Sequence, residues 1–132
     1  MTTWTRRAGV VLFAIAMTVG ITACGGGGDS GSQGYVEPKG PSTQTISIDA
    51  GNFYFKPDKI TAKPGIAKIE LTAASGIHDF RFDGAYSGFL LEADGGGATQ
   101  SKKIDLEPGT YTFYCDYPGH RAQGMEGTLT VK

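Results

Sequence analysis

From residue 44 to the C-terminus, apolar residues recur at every second position in short runs, and glycine or proline turns separate many of the runs. A period of two sends one face of an extended strand inward, and no stretch carries the 3.6-residue stripe that a helix needs. Ile46 and Ile48 alternate with polar neighbours, as do Phe53 and Phe55. Ala67, Ile69 and Leu71 face one way, with Lys68, Glu70 and Thr72 opposite. His78, Phe80 and Phe82 are set against Asp79, Arg81 and Asp83, and Tyr111, Phe113 and Cys115 against Thr112 and Tyr114. Ile104 and Leu106 precede one turn, and Leu129 and Val131 close the chain. Lys56-Pro57-Asp58-Lys59, Lys63-Pro64-Gly65 and Glu107-Pro108-Gly109 read as turns. The pattern predicts one all-β domain over 44–132, an antiparallel β-sandwich of about seven to eight strands.

The first residues are of another kind. Arg6 and Arg7 precede an uncharged apolar stretch from Val10 to Val19, short of the roughly 20 residues that span a bilayer. Ile21-Thr22-Ala23-Cys24 resembles the lipobox of bacterial lipoproteins, in which the cysteine is lipidated and begins the mature chain. Residues 1–23 are therefore expected to be a lipoprotein signal peptide, with Cys24 the lipid attachment site. An ordinary secretory signal with an incidental cysteine is the alternative, and Thr5-Arg6-Arg7 leaves both the general and the twin-arginine export routes open. Residues 24–43 are rich in Gly, Ser, Gln and Pro and are expected to form a flexible tether, with an r.m.s. reach of about 25 Å. The expected location is outside the cytoplasm, lipid-anchored to a bacterial membrane, in the periplasm or at the cell surface.

Beyond the signal segment the chain keeps few groups able to do chemistry. There are two histidines, His78 and His120; one methionine, Met125; and one cysteine besides Cys24, Cys115. An unpaired thiol in an exported protein calls for an explanation, and metal ligation supplies one. Two imidazoles, a thiolate and a thioether are the donors of a mononuclear blue-copper site. Three of them lie in one run, Cys115-Asp-Tyr-Pro-Gly-His120-Arg-Ala-Gln-Gly-Met125. Residue parity puts His78 and Cys115 on the core face of their strands. Each residue has a bland reading alone: a buried thiol, a core histidine, a loop histidine, a gap-filling methionine. All four readings would have to coincide in a chain with only two histidines. The expected cofactor is one copper ion, cycling between Cu(I) and Cu(II).

The same run, with Gly109 to Tyr114 before it and Glu126 to Val131 after it, resembles the C-terminal signature of the cupredoxins. The four-residue gap between Cys115 and His120 is closer to auracyanin and rusticyanin than to plastocyanin. Phe55-Lys56-Pro57, Ile60, Pro64-Gly65 and His78-Asp79-Phe80 resemble the family's earlier strands, so the similarity spans the domain. It implies a Greek-key sandwich with copper at one end, and a tyrosine corner at Tyr111. It also implies one-electron transfer through a His120 edge lying in a smooth patch with Pro118, Gly119, Ala122 and Gly124. Redox partners would dock there transiently over a small apolar interface, with the protein a monomer. One departure stands out: many cupredoxins follow the first histidine with Asn, and here Asp79 takes that place, with Asp116 after the cysteine. Either the two carboxyls share a proton, or Asp79 accepts backbone N–H groups while Asp116 faces solvent.

Other classes find little support. The chain lacks the further histidines of multicopper enzymes, the second cysteine of a binuclear copper site, a G-x-S-x-G elbow and a phosphate loop. It is not expected to be an enzyme. Its net charge is −1, with Lys and Arg scattered, so no nucleic-acid surface is expected. The competing functions are a copper carrier or buffer without redox turnover, and a metal-free structural lipoprotein. The long insertion between strands at 83–99 is expected either to offer a second partner surface or to cap the sandwich with a short helix.

Overall fold

The computed structural model describes residues 35–132. The expected signal peptide, Cys24 and the tether up to residue 34 lie outside the described residues. The alternating runs become nine strands: β1 (Gln44–Gly51), β2 (Tyr54–Lys56), β3 (Lys59–Ala62), β4 (Gly65–Ala73), β5 (Ile77–Phe82), β6 (Leu91–Asp94), β7 (Thr99–Leu106), β8 (Gly109–Tyr114) and β9 (Glu126–Val131). They form a four-stranded sheet in the order β2-β1-β4-β7 and a five-stranded sheet in the order β3-β9-β8-β5-β6. Among the described residues no helix is long and apolar enough to cross a membrane.

The sandwich is as expected, with more strands and a more mixed pairing than the sequence suggested. The chain changes sheets at Lys56-Pro57-Asp58, so β2 pairs with β1 while β3 pairs with β9. Two strands rather than a hairpin then connect β1 to β4, and those two run parallel, as do β3 and β9. The insertion forms no helix. Instead β6 pairs with β5 and widens the five-stranded sheet, while Phe89, Leu91 and Ala93 are buried. Phe53, expected to alternate with Phe55 along a strand, stands in the turn between β1 and β2 at φ 65°.

Core residues come from the inward parity of both sheets: Ile48, Ala67, Ile69 and Leu71 on one side, Phe80, Phe113 and Leu129 on the other. Phe80 stacks on Phe113 at 4.7 Å between centroids, and Phe55 meets both rings edge-on. Each such side chain contributes about 1.5–3 kcal/mol by leaving water. The packed chain also reaches back before β1. Tyr35 sets its ring edge-on to Phe89 at 5.0 Å, and its hydroxyl donates to the Lys103 carbonyl at 2.5 Å. The Lys103 N–H donates to Glu37 at 3.2 Å and its ammonium to the Gly40 carbonyl at 2.9 Å. This strap lies along β7, the outer strand of its sheet, and covers an edge that would otherwise offer unpaired backbone groups.

Candidate metal centre

The antiparallel pairing of β5 with β8, Arg81 opposite Tyr114, brings the start of β5 and the end of β8 to one pole of the sandwich. His78 is the second residue of β5, and Cys115 follows the last residue of β8. Both point inward by parity and both are buried. After Cys115 the chain loops through His120 into a 3-10 turn at Arg121–Gln123, and Gly124 closes that turn at φ 98°, a conformation glycine takes without strain. The loop is tied to itself: the Cys115 N–H donates to the Met125 carbonyl and the Met125 N–H to the His120 carbonyl, both at 3.1 Å. Met125 is fully buried.

The donor atoms of His78, Cys115 and His120 lie within 4.8 Å of one another. The Cys115 sulfur is 3.4 Å from His120 Nδ1. His78 Nε2 lies 3.0 Å from the Ser75 carbonyl, which can only accept, so Nε2 carries the ring proton. Its other nitrogen, Nδ1, is then a bare lone pair, and it is buried with no hydrogen-bond partner. Such an orphan costs about 1–3 kcal/mol unless something fills its need. Burial holds the His78 imidazolium below its ordinary range, so the ring stays a neutral donor. Burial also pushes the Cys115 thiol up, against backbone N–H groups of Asp79 and Tyr117 that favour the thiolate. A soft cation placed among these atoms would satisfy the lone pair and take the thiolate form. The donor set thus fits the copper ion that the sequence implies.

The Asp79 and Asp116 carboxyls do not share a proton-bridged contact. Instead the Asp116 N–H donates to Asp79 Oδ1 at 2.6 Å, and the Asp116 side chain is half exposed. The Asp79 N–H reaches the Cys115 sulfur at 3.5 Å. One residue therefore ties the His78 strand to the Cys115 loop through both its backbone and its side chain. The expected tyrosine corner is also present, with the Tyr111 hydroxyl donating to the Glu107 carbonyl at 2.9 Å.

Three neighbours of the centre escaped the sequence reading. Phe53 stands edge-on to His120 at 5.1 Å, and Tyr117 flanks the same ring at 5.8 Å. Arg81 pairs with Asp79 at 3.4 Å. Only the last had a usable signal, an opposite charge two residues along the same strand face.

Comparison with known proteins agrees with this geometry. Residues 42–132 match the family described as copper binding proteins, plastocyanin/azurin family. A plastocyanin of Dryopteris crassirhizoma is 35% identical over 101 residues, covering 66% of this chain and 96% of that protein. A plastocyanin of Nostoc punctiforme is 32% identical over 100 residues, covering 66% of this chain and 70% of its own length. The solved structure of auracyanin B superposes with a TM-score of 0.59 at 19% identity, covering 75% of this chain and 96% of that one. This chain belongs to the plastocyanin/azurin family of copper binding proteins, the cupredoxins.

Proposed function

We propose that His78, Cys115, His120 and Met125 hold one copper ion and that the protein is a one-electron carrier working outside the cytoplasm, lipid-anchored through Cys24. The observation that carries the reading is the orphaned Nδ1 of His78, facing a buried thiol and the Nδ1 of His120 with no protein partner of its own. Bound copper supplies a one-electron couple. The protein's part is to hold the donors still, so that neither oxidation state demands rearrangement, and to keep water away. Two paired strands of one sheet, β5 and β8, fix His78 and Cys115, and the self-bonded loop fixes His120 and Met125. His120 is half-buried where His78 and Cys115 are buried, which supports its ring edge as the point where electrons enter and leave.

The test is the visible spectrum of the purified protein after addition of Cu(II), beside a Cys115→Ser control. The expected result is an intense thiolate-to-copper band, bleached reversibly by ascorbate and absent in the control. A protein that takes up only Cu(I), or shows no such band, would overturn the electron-carrier reading and leave a copper carrier or buffer or, where no copper is bound at all, a structural role. Anchoring is tested separately, by recovering the Cys24→Ser variant from the soluble fraction when the wild-type protein stays with membranes.

A further inference from the structure

The Asp79 side chain is only 6% exposed, and it stands beside a thiol that becomes an anion when it binds metal. An asparagine would offer the Asp116 N–H the same oxygen with no charge. A buried carboxylate carries a desolvation cost of several kcal/mol unless a partner offsets it. Its surroundings make matters worse: Glu92 is its cross-strand neighbour on β6, and Asp116 follows on the ligand loop. Like charges across a strand pair repel. Arg81 lies two residues along β5, on the same face by parity. Its Nε is 3.4 Å from Asp79 Oδ2 and 3.8 Å from Asp116 Oδ2. Among the described residues it is the one cation paired with either carboxylate.

We propose that Arg81 is a positioning and charge-compensating residue of the metal centre, bridging Asp79 and Asp116 so that a carboxylate can lock the ligand loop to β5 beside the thiolate. The inference rests on the copper-site reading above. The guanidinium is 40% exposed, so its influence is open to screening by salt. A positive charge near the ion disfavours the more highly charged oxidation state, and a negative one favours it.

The experiment compares wild type with Arg81→Gln, Arg81→Lys, Asp79→Asn and the Asp79→Asn/Arg81→Gln double variant. Two quantities are read: the reduction potential of the copper protein at low and high salt, and hydrogen exchange of the Asp116 amide in the copper-free protein. Arg81→Gln is expected to lower the potential, more at low salt, and to speed Asp116 exchange several-fold. Arg81→Lys should restore most of the potential, and Asp79→Asn should raise it. The double variant should return close to wild type in potential, because it removes both members of a compensating pair. A potential unmoved by Arg81→Gln at either salt concentration would overturn the proposal, as would a double variant no closer to wild type than Arg81→Gln alone. A wild-type protein with no thiolate-to-copper band would overturn the site assignment instead, and the amide-exchange result in the copper-free protein would still decide the positioning role.

Discussion

Phe53 holds its ring edge-on to that of His120, at 79° between planes, from a backbone φ of 65°. A side chain in that left-handed region costs about 1–2 kcal/mol, close to the 0.5–1.5 kcal/mol an aromatic pair returns. Two substitutions separate the terms. Phe53→Ala keeps the strain and loses the ring, and is expected to lower stability by about 1 kcal/mol. Phe53→Gly loses the ring but relieves the strain, and should stand about 1 kcal/mol above the alanine variant in urea unfolding of the copper-free protein. Both should release copper to a chelator several-fold faster, since His120 loses a wall.

The buried donors make the copper-free protein sensitive to pH from both sides. His78 is held below its ordinary value by burial, so as pH falls through about 6.5 the unfolded chain binds a proton that the folded one refuses. Stability falls with it. Cys115 is pushed up by burial, so above about pH 8.5 the unfolded thiol ionises first and stability falls again. Urea midpoints should therefore peak between those limits. Cys115→Ser should flatten the alkaline limb up to about pH 10 and leave the acid limb in place. Beyond that pH Tyr35 and Tyr86, also pushed up by burial, continue the loss. A decline equal to wild type below it in that variant would assign the first alkaline loss to another group.

How much of this was legible beforehand depends on whether a feature was local. Parity along single strands placed His78 and Cys115 inward, and scarcity of other donors made the metal set readable. The role of Asp79 was not, because its parity is outward, yet it is buried where the Asp116 N–H of the Cys115 loop bonds to it. Phe53 fitted a strand alternation, yet Gly51-Asn52 before it is where β1 turns back. The insertion hid a strand in plain view: Leu91-Glu-Ala-Asp94 alternates, but glycines on both sides made it look like loop. Average composition concealed Tyr35, since one aromatic anchor scarcely alters a stretch of Gly, Ser, Gln and Pro.

That anchor carries its own prediction. Tyr35 is half-buried against Phe89 and bonded through both its hydroxyl and its backbone N–H, the latter to Ser87 at 2.7 Å. Tyr35→Ala should cost about 1–2 kcal/mol, below the 3–5 kcal/mol of a fully buried aromatic. Removing the strap and starting the domain at Gln44 should cost at least as much and expose the β7 edge, raising the tendency to self-associate in light scattering. A truncated domain as stable and as monomeric as the longer one would show that the strap merely rests there.

Gly127 offers the sharpest link between packing and the metal centre. It pairs with Phe113 across β8 and β9, and a Cβ there would fall on the Phe113 ring and the Asp58 carbonyl. Neither has room to retreat. Phe113 is fully buried and stacked on Phe80, and the Asp58 carbonyl accepts the Thr128 N–H at 2.7 Å. Gly127→Ala is expected to cost about 2–3 kcal/mol, as overpacking of a well-filled core does. Because Cys115 lies two residues beyond Phe113 on the same face, the strain should also reach the thiol and shift the copper charge-transfer band. Adding Phe113→Leu should recover only part of the stability, since it frees the ring side and leaves the carbonyl clash. Full recovery would assign the whole cost to the ring, and an unshifted band would show that the sandwich absorbs the strain before it reaches the site.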